Sequence, residues 1–432
     1  MYKTRSLGII SLILLTLIPI RGFFIYHFAF KANQIYIFSS VLLLILSVLC
    51  VGVIFKRSKN DLLVEIKTFV FWNYLLSGFY LLVTIFIVGF NQISIVYQFI
   101  LFPVIFYLLT CENKELQLGI HIISFIILLG SYLFFSLGLN YGFEAISEAN
   151  FRLRPDDDAY SRIGEIYLPG GYLGDHHDNA NILAMSSAFY FSESFIKQNK
   201  YRFVYFLFFI LSTSFLVISG SASNIVVFIV VVFCTLFFYN RKFLFLILIV
   251  SFFLFIVFEE YFYFLEKLKQ DQSELEGGGI FNSLDIISFL YSIHTILFGF
   301  GDFFQPPMIK AEISFIKILI SVGLIPFIFL MLIIFSPFFY IYKFNRNINL
   351  KISFLKNTNF LLYKKMSIIK KSYIEYLVFK SIPVITGSFT LLHYGSLFRI
   401  TSICLFCLFL AIFFKTFLHL DKSFKEIFNS NF

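Results

Sequence analysis

The chain is expected to fold as an all-α polytopic integral membrane protein with about twelve transmembrane helices and both termini cytoplasmic. Three observations predict this. Of its 432 residues 59% are hydrophobic and only 14% charged, against about 25% charged in a soluble domain. Apolar runs of roughly 17 to 25 residues recur from end to end, the length a helix needs to cross hydrocarbon, and they lack the alternation of barrel strands. Lys and Arg gather in alternate connections, so that roughly two-thirds fall on the side holding both termini, which the positive-inside rule assigns to the cytoplasm.

The net charge of +9 is therefore read as an orientation signal rather than a nucleic-acid surface. The five cysteines lie in or beside apolar runs, and their spacing supports neither a disulfide framework nor a zinc site.

In chain order, spans are expected at about 7–28, 34–55, 68–90, 93–111, 117–139, 180–196, 203–219, 222–239, 243–258, 313–342, 376–392 and 397–417. The first has a basic start like a signal peptide, but no small-residue cleavage pattern follows, so it is kept as a span. Short basic connections follow the second, sixth, eighth and tenth spans, and a strongly basic cytoplasmic loop is expected at 343–375. Two long polar loops, 140–179 and 259–311, then face outward. No internal repeat relates the halves, which weighs against the inverted-repeat design of many carriers.

The first outer loop carries most of the chemistry. Arg152, Arg154 and Arg162 offer planar forks suited to diphosphate oxygens. Asp156, Asp157 and Asp158 lack the spaced ligands of a calcium loop and read as solvating acids. Gly170, Gly171 and Gly174 permit tight turns and close backbone approach. Asp175, His176, His177 and Asp178 stand at the mouth of the sixth span, where a helix N-terminus also favours an anion. An imidazole or carboxylate here is a candidate general base. Asp178 or Asn179 is expected to cap the helix, and no metal is expected, since no further ligand stands at helical spacing.

Elsewhere the signals are thinner. The turn SGSASN at 219–224 is expected to cap the eighth span. In the second loop, 259–276 reads as a short amphipathic helix, followed by His294, the Gly299–Gly301 turn, Asp302 and Glu312. Lys317 is expected to pair with Glu312 on one helix face, and His393 and Arg399 flank an outer turn.

Taken in order, these features resemble the O-antigen polymerase and ligase superfamily, in particular the Wzy-type polymerases. The resemblance rests on the span count with two outer loops and on four motifs. These are Arg162 with its Gly-rich run leading into HDNANILAM, the SGSASN turn, LFGFGDFF, and EISFIKILISVGLIPF. Two departures stand out. The family's frequent arginine in the Ser-rich turn is Asn224 or absent here. Glu312-Ile313-Ser314 stands where ligases tend to carry a histidine-bearing motif, which favours polymerase over ligase.

The resemblance implies a glycosyltransferase of surface polysaccharide biosynthesis, for O-antigen (lipopolysaccharide) or capsule, in the bacterial inner membrane. It would join undecaprenyl diphosphate-linked oligosaccharide repeat units at the outer leaflet without a cofactor. It implies Arg162, with Arg152, Arg154 or Arg399, for the departing diphosphate. Asp175, His176, His177, His294 and Glu312 become candidates for base or sugar contact, and Asn179, Asn181, Gly299 and Gly301 for substrate binding. A chain-length regulator is a candidate partner, and no nucleic acid is expected. The competing expectations are a ligase-type glycan transferase and a flippase for the same lipid-linked sugars.

Overall fold

The structure, a computed structural model, describes residues 2–28, 41–43, 45–52, 62–88, 101–141, 162–163, 166–167, 170–173, 176–196, 199–219, 221–239, 319, 323–358, 360–391 and 400–430. These residues are almost wholly helical. The exception is a two-residue antiparallel ladder, β1 (Arg162–Ile163) against β2 (Ile166–Tyr167).

The helices are α1 (Tyr2–Leu17), α2 (Arg21–Phe28), α3 (Val64–Val88), α4 (Asn113–Tyr141), α5 (His176–Phe195), α6 (Arg202–Ile218), α7 (Ala222–Tyr239), α8 (Leu324–Ile334), α9 (Ser336–Thr358), α10 (Phe360–Leu391) and α11 (Ile400–Ser430). A short helical turn, Phe102–Val104 continued by Ile105–Leu108, carries Pro103 in its first turn.

Among the described residues, two helices are long and apolar enough to cross a membrane, Asn113–Tyr141 and Thr401–Ser430, and bent pairs raise this to four. α4 carries an exposed apolar stripe. Its exposed large residues Leu118, Ile122, Phe125, Leu129 and Tyr132 recur at helical spacing, a stripe that water would penalise and acyl chains would not.

The bundle is organised around α5. Every residue from Asp178 to Ser194 is buried, and α4, α6, α7, α10 and α11 all pack against it. Its Ala180, Ala184, Ser186, Ser187 and Ala188 are small, which lets neighbouring backbones approach closely where lipid supplies no hydrophobic drive. Hydroxyls tie the helices together: Ser124 Oγ lies 2.8 Å from Ser186 Oγ, and Ser192 Oγ donates to the Phe379 carbonyl at 2.6 Å. On α10, Ser388 Oγ donates to the Ile334 carbonyl of α8 at 2.8 Å.

Four expectations are revised. The first span is not one rod: α1 and α2 are bent by 58° about the break before Arg21, where Pro19 supplies no backbone N–H. The region 313–342 is likewise interrupted. Gly323 takes φ 79°, and α8 and α9 meet at 56° beside Pro337. The basic stretch 343–375 is not a loop but the second half of α9 and the first half of α10, apart from Asn359, which lies outside the described residues. The sixth span begins at His176, so Asp178 and Asn179 lie inside the first turn instead of capping it; there Asp178 complements the positive helix end.

A fifth finding concerns charge. The sequence singles out Lys317 and Arg399 near the spans, both outside the described residues, but the structure shows a closed ion pair elsewhere. Lys380 of α10 donates to Glu193 Oε1 of α5, with side chains 6% and 3% exposed. Glu193 Oε2 also accepts from Asn199 Nδ2 at 3.0 Å.

The two ends of the bundle differ. At one end Arg5 pairs with Glu112 at 2.9 Å and Glu115 at 3.1 Å, Lys343 pairs with Glu65, and Lys415 donates to the Cys111 carbonyl. The start of α1 and the later turns of α11 therefore share that end. The opposite end gathers the last turns of α4 and the first turns of α5 and α7.

Candidate functional site

The Gly-rich run of the first polar loop is folded into that opposite end. Gly170 is buried, and Gly171–Leu173 form a buried 3-10 turn wedged against α2, α4 and α5. Gly171 has φ +55°, and a side chain there would meet Asn179 Oδ1 at 3.1 Å, so glycine satisfies both the left-handed backbone and the close approach.

Tyr172 anchors the turn. Its ring sits among Phe23, Tyr26, His27 and Phe134, and its hydroxyl lies 2.6 Å from His27 Nε2. Burial pushes its phenol up to about 12, so it keeps its proton at neutral pH. The contact is close because α2 and α4 present glycines: a Cβ on Gly22 would lie 1.7 Å from the Tyr172 carbonyl oxygen, and one on Gly130 would lie 2.5 Å from its ring. Gly22→Ala is expected to push the turn off α2 at a cost of about 1–3 kcal/mol. Thermal unfolding in detergent micelles measures this, and an unchanged midpoint would overturn the docking.

The start of α5 brings candidate residues together. Asn179 faces α4, donating Nδ2 to Ser131 Oγ at 2.9 Å. On another face His177 Nδ1 lies 3.5 Å from Ser221 Oγ, at the long limit for a hydrogen bond. Asn181, one turn beyond His177, shares its face and is buried. Ser221 stands immediately before α7, and its Oγ accepts from Asn224 Nδ2 at 2.9 Å. Among the described residues the Asn224 amide oxygen is buried without a hydrogen-bond partner, an acceptor suited to a hydroxyl-rich ligand or a water.

Arg162 opens β1, in register with Tyr167. His176 is the first residue of α5. Asp175, His294, Glu312, Arg152, Arg154, Gly299, Gly301 and Arg399 lie outside the described residues. Of the sequence-predicted residues, then, the structure sets His177 and Asn181 on one face of the first turns of α5 and turns Asn179 to another, toward α4. Among the described residues no cluster of His, Cys, Asp and Glu has the make-up of a metal site.

Two residues were missed in the sequence. His27 gave no signal beyond being a lone histidine, since its partner Tyr172 is 145 positions away. Arg21 did carry one: a permanent cation within an apolar run is costly and marks function by default. It follows the α1–α2 break, directly before Gly22.

No protein-family profile matches the chain, and no curated protein matches it significantly.

Proposed function

We propose that the protein is a polysaccharide polymerase that joins undecaprenyl diphosphate-linked oligosaccharide units at the outer face of a bacterial cytoplasmic membrane. In this reading about twelve spans hold both termini in the cytoplasm, and loops 140–179 and 259–311 face outward. The observation that carries it is the polar site at the start of α5. The loop's Gly-rich turn is buried there against Asn179, and on another face of α5 His177 approaches Ser221, which in turn accepts from Asn224, all at the bundle end opposite the Arg5, Lys343 and Lys415 contacts.

The chemistry asks for two things. A hydroxyl of the acceptor unit attacks the anomeric carbon of the donor's reducing-end sugar, and the bond from that carbon to the diphosphate oxygen breaks. The hydroxyl proton passes to a base, for which His177 is the choice among the described residues, with His176, Asp175, His294 and Glu312 as the remaining candidates. Undecaprenyl diphosphate leaves with the bonding electrons, and its charge falls to arginines: Arg162, with Arg152, Arg154 or Arg399 and now Arg21. Asn179, Asn181, Gly299 and Gly301 remain the sugar-side contacts of the proposal. The lipid diphosphate is itself the energy source, so no nucleotide or metal is required.

One observation favours a second reading. The Glu193–Lys380 pair and Arg21 place charge within the helical bundle, as a flippase for the same lipid would. Reconstitution separates the two. The protein in liposomes, given an undecaprenyl diphosphate-linked repeat unit and no nucleotide, is expected to produce a ladder of multiples on a gel. Leaflet transfer without a ladder would establish the carrier. A product appearing only after addition of a second glycan acceptor would establish the ligase.

A further inference from the structure

The stretch from Lys343 to Lys371 holds eight Lys and Arg and no Asp or Glu. The structure folds it into two antiparallel helices, the second half of α9 and the first half of α10, which pack on each other. Between them lies a groove of about 480 Å³ lined by Asn349, Ser353, Tyr363, Ser367, Lys370 and Lys371. Lys370 Nζ donates to Asn349 Oδ1 at 2.6 Å, which holds its ammonium at the groove, and Lys371 is exposed.

Large apolar side chains stand exposed on the same hairpin. Leu350 is 64% exposed, Leu361 80% and Ile368 66%. On α10 the positions 361, 364, 365, 368 and 371 recur at helical spacing, so lysines alternate with Leu361 and Ile368 along one exposed face. Water does not stabilise such a face, whereas a lipid surface takes the apolar chains into its acyl boundary and the lysines among its headgroups.

The depth also fits. α10 becomes buried in the bundle from Leu377 onward, six residues past Lys371, or about 9 Å of helix. The lysine end of the groove therefore sits within two turns of the point where α10 enters the bundle. The acids of α11 do not neutralise it from their own helix, because Asp421 is paired with Lys425 at 2.6 Å and Glu426 with Lys422 at 3.8 Å. Glu375, one turn beyond Lys371, is the acid nearest along α10.

We propose that this hairpin is a binding site for anionic phospholipid of the leaflet it adjoins, with the lipid phosphate held between Lys370, Lys371, Ser353 and Ser367. The occupant is an ordinary membrane lipid, so the inference does not depend on the glycosyl-transfer reading. Its role is mechanical: it would pin the joined ends of α9 and α10, and α10 packs directly on α5.

The test uses full-length protein in detergent, exchanged with phosphatidylglycerol or phosphatidylcholine, with retained lipid counted by native mass spectrometry. Phosphatidylglycerol is expected to be retained on the order of tenfold better at low salt, from the attraction each basic residue adds at an anionic surface. The Lys370→Gln/Lys371→Gln variant is expected to lose that preference while keeping its melting temperature. Should it fail to fold, Ser353→Trp, which fills the groove without changing charge, is expected to lower retention instead. Equal retention of both lipids, or a preference unchanged in these variants, would overturn the proposal. So would release of the lipid by millimolar inorganic phosphate, which indicates a soluble anion, or by a short RNA, which indicates nucleic acid.

Discussion

Replacing Lys380 by alanine is expected to destabilise the protein by about 3–5 kcal/mol, because it strands the Glu193 carboxylate in the bundle without its cation. Both side chains are nearly fully buried, so neither water nor salt can take over the missing charge. Asn199 donates to the other carboxylate oxygen, which compensates a fraction of the loss. The paired replacement Lys380→Met with Glu193→Leu removes both charges and keeps apolar volume, and is expected to recover most of the stability. Thermal or chemical unfolding in micelles reads both effects. A single variant as stable as the parent would mean that the pair is open to solvent. A paired variant that is stable but inactive would point to a functional charge, the outcome that strengthens the carrier reading.

His177→Ala and Arg162→Ala are each expected to lower the rate of ladder formation by about 10²–10⁴-fold, the usual contribution of a positioned acid–base group or of a cation at a departing anion. Rates are compared at equal amounts of folded protein, with the melting temperature of each variant as the check that the fold is retained. Arg162→Lys is expected to recover only part of the activity, since an ammonium cannot bind two diphosphate oxygens as a guanidinium does. Product formation at parental rate in either alanine variant, with normal protein levels, would remove that residue from the site.

Several elements were legible in the sequence because each is a local property. The apolar runs at 117–139, 203–219 and 222–239 correspond to α4, α6 and α7, whose limits follow from where lipid-compatible residues stop. That the GGYL and DNAN parts of the GGYLGDHHDNAN stretch would be held against the bundle was also visible, as a polar cluster with no reason to adjoin a membrane span unless held there. Less legible were the breaks. Pro19, Gly323 and Pro337 stood in plain sight, yet apolar runs continue through them, and hydropathy alone does not register a lost N–H or a left-handed backbone. The basic stretch 343–375 read as a loop because its lysines mask a helical pattern in which buried Phe344, Ile348, Ile352 and Leu355 recur at spacings of three and four.

What the sequence determined by itself is the helical class, the presence of helices long and apolar enough to cross a membrane, and the run of basic residues at 343–371, since each follows from counting side chains along one dimension. Only the tertiary structure decided that α5 lies at the centre, that the loop's Tyr172 docks on Gly22, Gly130 and His27, and that Glu193 meets Lys380. The physical reason is that lipid tails are as apolar as leucine, so hydropathy drives every such helix into the bilayer but does not select its neighbours. That choice rests on small residues, hydroxyls and a closed ion pair, whose partners Glu193 and Lys380 lie 187 positions apart in the chain.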